Sequence, residues 1–75
     1  MNAPQTVALL ADLHRRHQFT YGLISTSTAD RIRLHSAMID IVSAMNEVDP
    51  EWAVLLRSEF AEVVREMRDD ARVAA

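Results

Sequence analysis

Three stretches of the chain repeat apolar side chains at helical spacing, and a fourth stretch, between the first two, does not. Val7, Leu10, Leu13 with His14, and His17 recur every three or four residues. That spacing predicts a short helix over about residues 4–17. Asn2 or Thr6 is placed to cap it, and Pro4 suits a first helical turn. Asp12 precedes Arg15 and Arg16, the order that the helix dipole favours.

The next periodic stretch covers about residues 28–47. Leu34, Met38, Ile41, Met45 and Val48 form one stripe, and Ile32, Ile39 and Val42 form a second beside it. The apolar face is therefore wider than a single coiled-coil seam. No Gly or Pro interrupts it. Ser27 or Thr28 is the expected cap, with Asp30 in the first turn. The last stretch opens with Asp49-Pro50-Glu51-Trp52, which combines a capping carboxylate, a proline at the first helical position and an early acid. Ala53, Leu56, Phe60, Val63 and Met67 follow, with Trp52, Leu55 and Val64 alongside, and the helix is expected over about residues 50–72. Arg65, Arg68 and Arg72 lie in its last turns.

The link at Asn46–Asp49 is short, so the second and third helices are expected to run antiparallel as a hairpin. Each is about 20 residues, or roughly 30 Å, long. Two double-striped helices cover only part of each other, and a first helix ending at His17 is too short to cover the rest. The expected fold is therefore all-α: a short N-terminal helix, then a long antiparallel hairpin, assembling as a homo-oligomer. The competing arrangement is a compact three-helix monomer.

Composition sharpens this. The chain has 75 residues, one Gly, two Pro and no Cys. A single domain of this size is marginal alone, and disulfides and thiolate-held zinc are excluded, which leaves self-association as the common route to stability. Apolar residues are 49%, but eleven of those positions are alanine, so large apolar side chains are fewer than the total suggests. Net charge is −3, with eight Arg and no Lys. An acidic balance opposes a role in DNA binding, and the exclusive use of Arg favours planar, bidentate contacts over diffuse positive charge. No apolar run is long enough to span a membrane. The N-terminal residues lack the charge order of a secretory signal, so the expected compartment is the cytoplasm.

Residues 18–29, QFTYGLISTSTA, carry no charge. They are read as a loop over about residues 18–27. Phe19 and Tyr21 flank Thr20, and Gly22, the only glycine, allows a sharp turn directly after Tyr21. Ser25, Thr26, Ser27 and Thr28 add four hydroxyls. Two readings fit. In one, the aromatics stack on nucleobases while the hydroxyls and the free amides of the next helix bind phosphate, with Arg31 and Arg33 adding charge. In the other, the aromatics plug a small core and the hydroxyls cap the next helix, which is the commoner use of such residues.

The remaining constellations carry less. His14 and His17 share a helix face at i,i+3, but no third ligand has matching spacing, so no metal site is expected. His35 reads as a boundary residue, and Met38, Met45 and Met67 as core or interface filler. Asp69-Asp70 reads as a solvated pair. Nothing resembles a nucleophile with its base, so the chain is not expected to be an enzyme or to hold a cofactor.

Phe19-Thr20-Tyr21, placed ahead of two long helices joined by the turn Val48-Asp49-Pro50, resembles a phage family: the small anti-CBASS sponge proteins, related to the hairpin domain of anti-Thoeris proteins. The resemblance covers roughly residues 13–73. It implies a hexamer that sequesters cyclic oligonucleotide or related second messengers without cleaving them, starving a bacterial immune effector of its signal. By the same resemblance Tyr21 stacks on a base with Phe19 as the neighbouring aromatic, and Thr26 or Thr28 with Arg72 belongs to a second, trinucleotide pocket. Where the family's loop carries His, Pro and Lys, this chain has Gly22-Leu23-Ile24-Ser25-Thr26-Ser27-Thr28. The candidate nucleotide-binding residues are thus Phe19, Tyr21, Ser25, Thr26, Ser27, Thr28, Arg31 and Arg72. The alternative function is a small helical protein-binding module, a phage inhibitor or adaptor, acting through an apolar helix face.

Overall fold

A helix begins where something satisfies its first free amides, and each of the three helices here has such a start. At the first, the Asn2 side chain accepts from the Gln5 amide at 2.9 Å and Gln5 Oε1 accepts from the Asn2 amide at 3.0 Å, a reciprocal capping box. At the second, Ser27 Oγ accepts from the Asp30 amide at 3.1 Å. At the third, Asp49 Oδ1 accepts from the Trp52 amide at 3.3 Å. The computed structural model describes residues 2–74, and all regular structure among them is helical: α1 over Ala3–Gly22, α2 over Thr28–Val48 and α3 over Pro50–Ala74.

The second and third helices fall within two residues of their predicted bounds. The first does not. α1 runs five residues past His17, so Gln18, Phe19, Thr20, Tyr21 and Gly22 are helical and the true loop is only residues 23–27. Gly22 adopts no positive φ, and the chain turns one residue later, at Leu23, with φ −71° and ψ 136°. The turn therefore does not depend on the glycine.

Each helix packs on the other two. The core holds Ala11 from α1, Val42 and Met45 from α2, and Ala53 and Leu56 from α3, with Val7, Leu10 and Trp52 packed against it. Met38 and Ile41 are also buried. Two alanines in the cluster keep side-chain bulk low where the helices meet. At 20 residues α1 is only one shorter than α2, so it covers more of the other helices than a helix ending at His17 would. Its buried positions are Ala11, His14 and Gln18, while Leu13 remains exposed. Of the stripe read from sequence, Val7, Leu10 and His14 face the other helices and Leu13 does not; Ala11 and Gln18 complete the buried face. On α2, Met38, Ile41 and Met45 are buried as expected, whereas Ile32 and Ile39 face solvent.

Two stability outcomes are expected. Leu56, wholly buried in the core cluster, should lose about 2–5 kcal/mol on Leu56→Ala. Urea unfolding will show a shifted midpoint, and an unchanged midpoint would place Leu56 outside the core. Gly22→Ala should be neutral or stabilise by up to ~1 kcal/mol, since alanine suits a helix better than glycine. The added Cβ would sit 3.4 Å from Val63 Cγ1, ordinary contact. A clear destabilisation would show that the glycine is needed after all.

Candidate functional site

The segment with the most chemistry in sequence lies where α1 ends and α2 begins. The last carbonyls of α1 need partners. Arg31, from the first turn of α2, supplies them: its Nε donates to the Tyr21 carbonyl at 3.0 Å and its Nη2 to the Leu23 carbonyl at 2.7 Å. Thr26 Oγ1 donates to the Thr20 carbonyl, and the Thr26 amide donates to the Leu23 carbonyl at 3.1 Å. Ser27 caps α2, and Thr28 is the first residue of that helix. Three of the candidate ligand groups therefore hold the chain's own backbone.

The two aromatics separate. Tyr21 is half-buried and meets Phe60 of α3 edge to face, ring centroids 4.9 Å apart and planes at 85°. The Arg31 guanidinium carbon stands 5.9 Å from the centre of the tyrosine ring. Phe19, two residues earlier, points elsewhere and is 71% exposed. Ser25 is exposed, and Ile24 beside it is 99% exposed.

The C-terminal part of α3 reaches the same end of the molecule. Gly22, Ile24 and Arg31 line a groove of 360 Å³ together with Met67, Asp70 and Ala71. Arg72 follows directly in sequence and is exposed. It does not line the groove. The structure thus gathers Tyr21, residues 23–27 and Arg31 at one end, beside the turn of α3 that carries Arg72, and leaves Phe19 on the outside of α1.

A second polar cluster, not anticipated from sequence, runs along α1. Arg15 grips Glu59 of α3 with two hydrogen bonds, Nε to Oε1 at 3.0 Å and Nη2 to Oε2 at 2.7 Å. The Gln18 amide nitrogen donates to the same Oε1 at 3.0 Å and lies 2.8 Å from His14 Nδ1. His14 is 1% exposed. Arg15 also lies over the Trp52 ring, 5.2 Å from its centre. The heptad-like series Val7, Ala11, His14, Gln18 and Tyr21 was the available signal. Two of its members are polar, so a search for apolar stripes passes over it.

Among the described residues no three His, Cys, Asp or Glu side chains converge as metal ligands, and no helix is long and apolar enough to cross a membrane.

Burial pushes the His14 imidazole below its ordinary value of 6.5, with the nearby His17 and Arg15 adding to the effect and the Glu59 charge opposing it. The hydrogen bond from Arg15 holds the Glu59 carboxyl below its ordinary 4.5, assisted by Gln18 and opposed by partial burial. Both depressions make folding weaker in acid. Below pH 6.5 the unfolded chain takes a proton at His14 that the folded chain resists, so stability falls as the pH drops below that value. Glu59 adds a second loss further down, as its protonation breaks the Arg15 bridge. Urea midpoints measured across the acid range should fall through both windows, and the His14 imidazole should titrate below 6.5 by NMR. A midpoint at or above that value would refute a buried, neutral His14.

No protein-family model, curated protein or solved structure matches the chain.

Proposed function

We propose that the protein is a non-catalytic sponge for cyclic nucleotide second messengers, acting as a homo-oligomer whose unit is the α2–α3 antiparallel hairpin braced by α1. The observation that carries this reading is the Tyr21 ring held near Arg31 where α1 ends, next to a groove that Gly22, Ile24 and Arg31 share with Met67, Asp70 and Ala71 of α3. An aromatic ring held upright beside an arginine suits a base next to a phosphate. The resemblance set out above supplies the class of ligand. Arg31 then has two tasks, closing α1 and presenting positive charge. Phe19 is the freer aromatic and is the natural stacking surface toward a neighbouring protomer or a ligand.

Surface area supports assembly. The chain exposes 5345 Å², against roughly 4,700 Å² for a compact monomer of its mass. Among the described residues eleven large apolar side chains retain substantial exposure, Ile24 and Ile32 among them. A hexamer would bury part of that surface and set pockets between protomers. Sequestration needs tight binding and many sites, not turnover, and it stabilises the folded form by mass action.

A second reading has its own support. Thr26, Ser27 and Arg31 are already hydrogen-bonded within the chain, and exposed Leu9 and Leu13 lie one turn apart on α1. These features suit a protein-docking module of the inhibitor or adaptor kind.

Light scattering after size exclusion, followed by calorimetry with a panel of cyclic di- and trinucleotides and cyclic ADP-ribose isomers, separates the two. The sponge is expected to be a stable oligomer with micromolar or tighter affinity for one of them. Phe19→Ala should weaken that binding at least about tenfold without lowering the melting temperature, because an exposed ring contributes little to the fold. A monomer or dimer with no affinity for any of the panel would remove the sponge and leave the docking module.

A further inference from the structure

A pocket of 280 Å³ opens between the three helices, on the side of Phe60 that carries His35. Its floor is buried: His14, Met38 and Val42. Ile39, Ser43, His35 and Arg57 form an exposed rim. His35 and Phe60 stand 5.4 Å apart with planes tilted by 36°, a wall of two rings. The volume exceeds the ~150 Å³ that accepts a benzene-sized guest, so one ring with a small substituent fits.

The polar groups of this pocket are biased in one direction. The Gln18 amide nitrogen faces both His14 Nδ1 and a Glu59 oxygen. Turning that amide around would set its oxygen against the carboxylate, so the nitrogen is correctly placed and Nδ1 is the acceptor. A neutral imidazole accepting at Nδ1 carries its proton on Nε2. No buried side-chain nitrogen or oxygen among the described residues lacks a partner, so Nε2, which has no hydrogen bond within the protein, keeps accessible surface, and His14 lines the pocket. Arg57 has no carboxylate partner among the described residues. Ser43 can donate as well, and no Asp or Glu lines the pocket. The pocket therefore offers an apolar floor, an aromatic wall, and donors together with a positive charge.

We infer that this pocket binds a small aromatic carboxylate, its ring lodged against Phe60, Met38 and Val42 and its carboxylate held by Arg57 with help from Ser43 and His14 Nε2–H. The site is separate from the groove of Ile24 and Arg31, with which it shares no lining residue.

The full chain, titrated with benzoate and followed by methyl NMR, tests the assignment. Benzoate should give saturable shifts at Met38, Ile39 and Val42 in the millimolar range or tighter, as suits so small a ligand. Benzamide, the uncharged analogue of the same shape, should bind about tenfold more weakly. Arg57→Gln, at an exposed position, should erase the difference between the two and leave the melting temperature unchanged. Phe19→Ala should leave benzoate binding intact, which keeps this result independent of any effect on cyclic nucleotides. Absence of saturable shifts up to about 10 mM, equal affinity for benzoate and benzamide, or an Arg57→Gln protein that still prefers benzoate would each overturn the inference.

Discussion

The grip of Arg15 and Gln18 on Glu59 is the contact on which the arrangement of this chain turns. It joins α1 to α3 across 44 and 41 residues of sequence. Because Gln18 is one turn beyond His14, satisfying both His14 and Glu59 requires helix between and past them. That requirement carries α1 through Gln18, and the edge-to-face contact of Tyr21 with Phe60 holds the next turn in place. The cluster lies beside the apolar core. A buried imidazole, an amide and a carboxylate are costly without partners; here Gln18 joins His14 Nδ1 to Glu59, and Arg15 pairs the carboxylate. Such a network contributes uniqueness of packing as much as stability, since the partners leave little freedom in how α1 is rotated against α3.

The consequence reaches the end of the molecule. With α1 extended to Gly22, only residues 23–27 remain to reverse the chain, and a link that short brings Arg31 under the final carbonyls of α1. The same reversal sets Ile24 outward, at the edge of the groove that Met67, Asp70 and Ala71 of α3 also line. Phe60 lies between two environments, with Tyr21 on one side and His35 on the other.

The sponge reading and the acidic charge of the chain are compatible on physical grounds. Close, partly desolvated contacts from arginine act over a few ångströms, whereas the net charge is screened beyond about 10 Å at ordinary salt. The absence of lysine puts the whole positive side of recognition on guanidinium groups, which are directional and suited to flat anions. Arg31 stands near the Tyr21 ring and Arg57 lines the pocket that Phe60 walls, at separate places on the surface.

Features that depend on neighbours three or four residues apart are legible along the chain. The caps at Asn2, Ser27 and Asp49, the proline start of α3 and the uninterrupted length of α2 are all local, and the all-α class follows from them. The length of α1 was hidden for a related reason: Gln18 to Gly22 contain no strong helix signal, and the contacts that keep them helical come from Glu59 and Phe60, some forty residues away. The burial of His14 and Gln18 in place of Leu13 is likewise a tertiary decision, since a polar side chain is admitted to an interior only when partners from another helix meet it. Use of Arg31 as a helix closure, rather than as a free phosphate clamp, depended on where α1 stopped. Local hydrogen bonding can be read along a chain; a face is chosen only when another surface arrives to cover it.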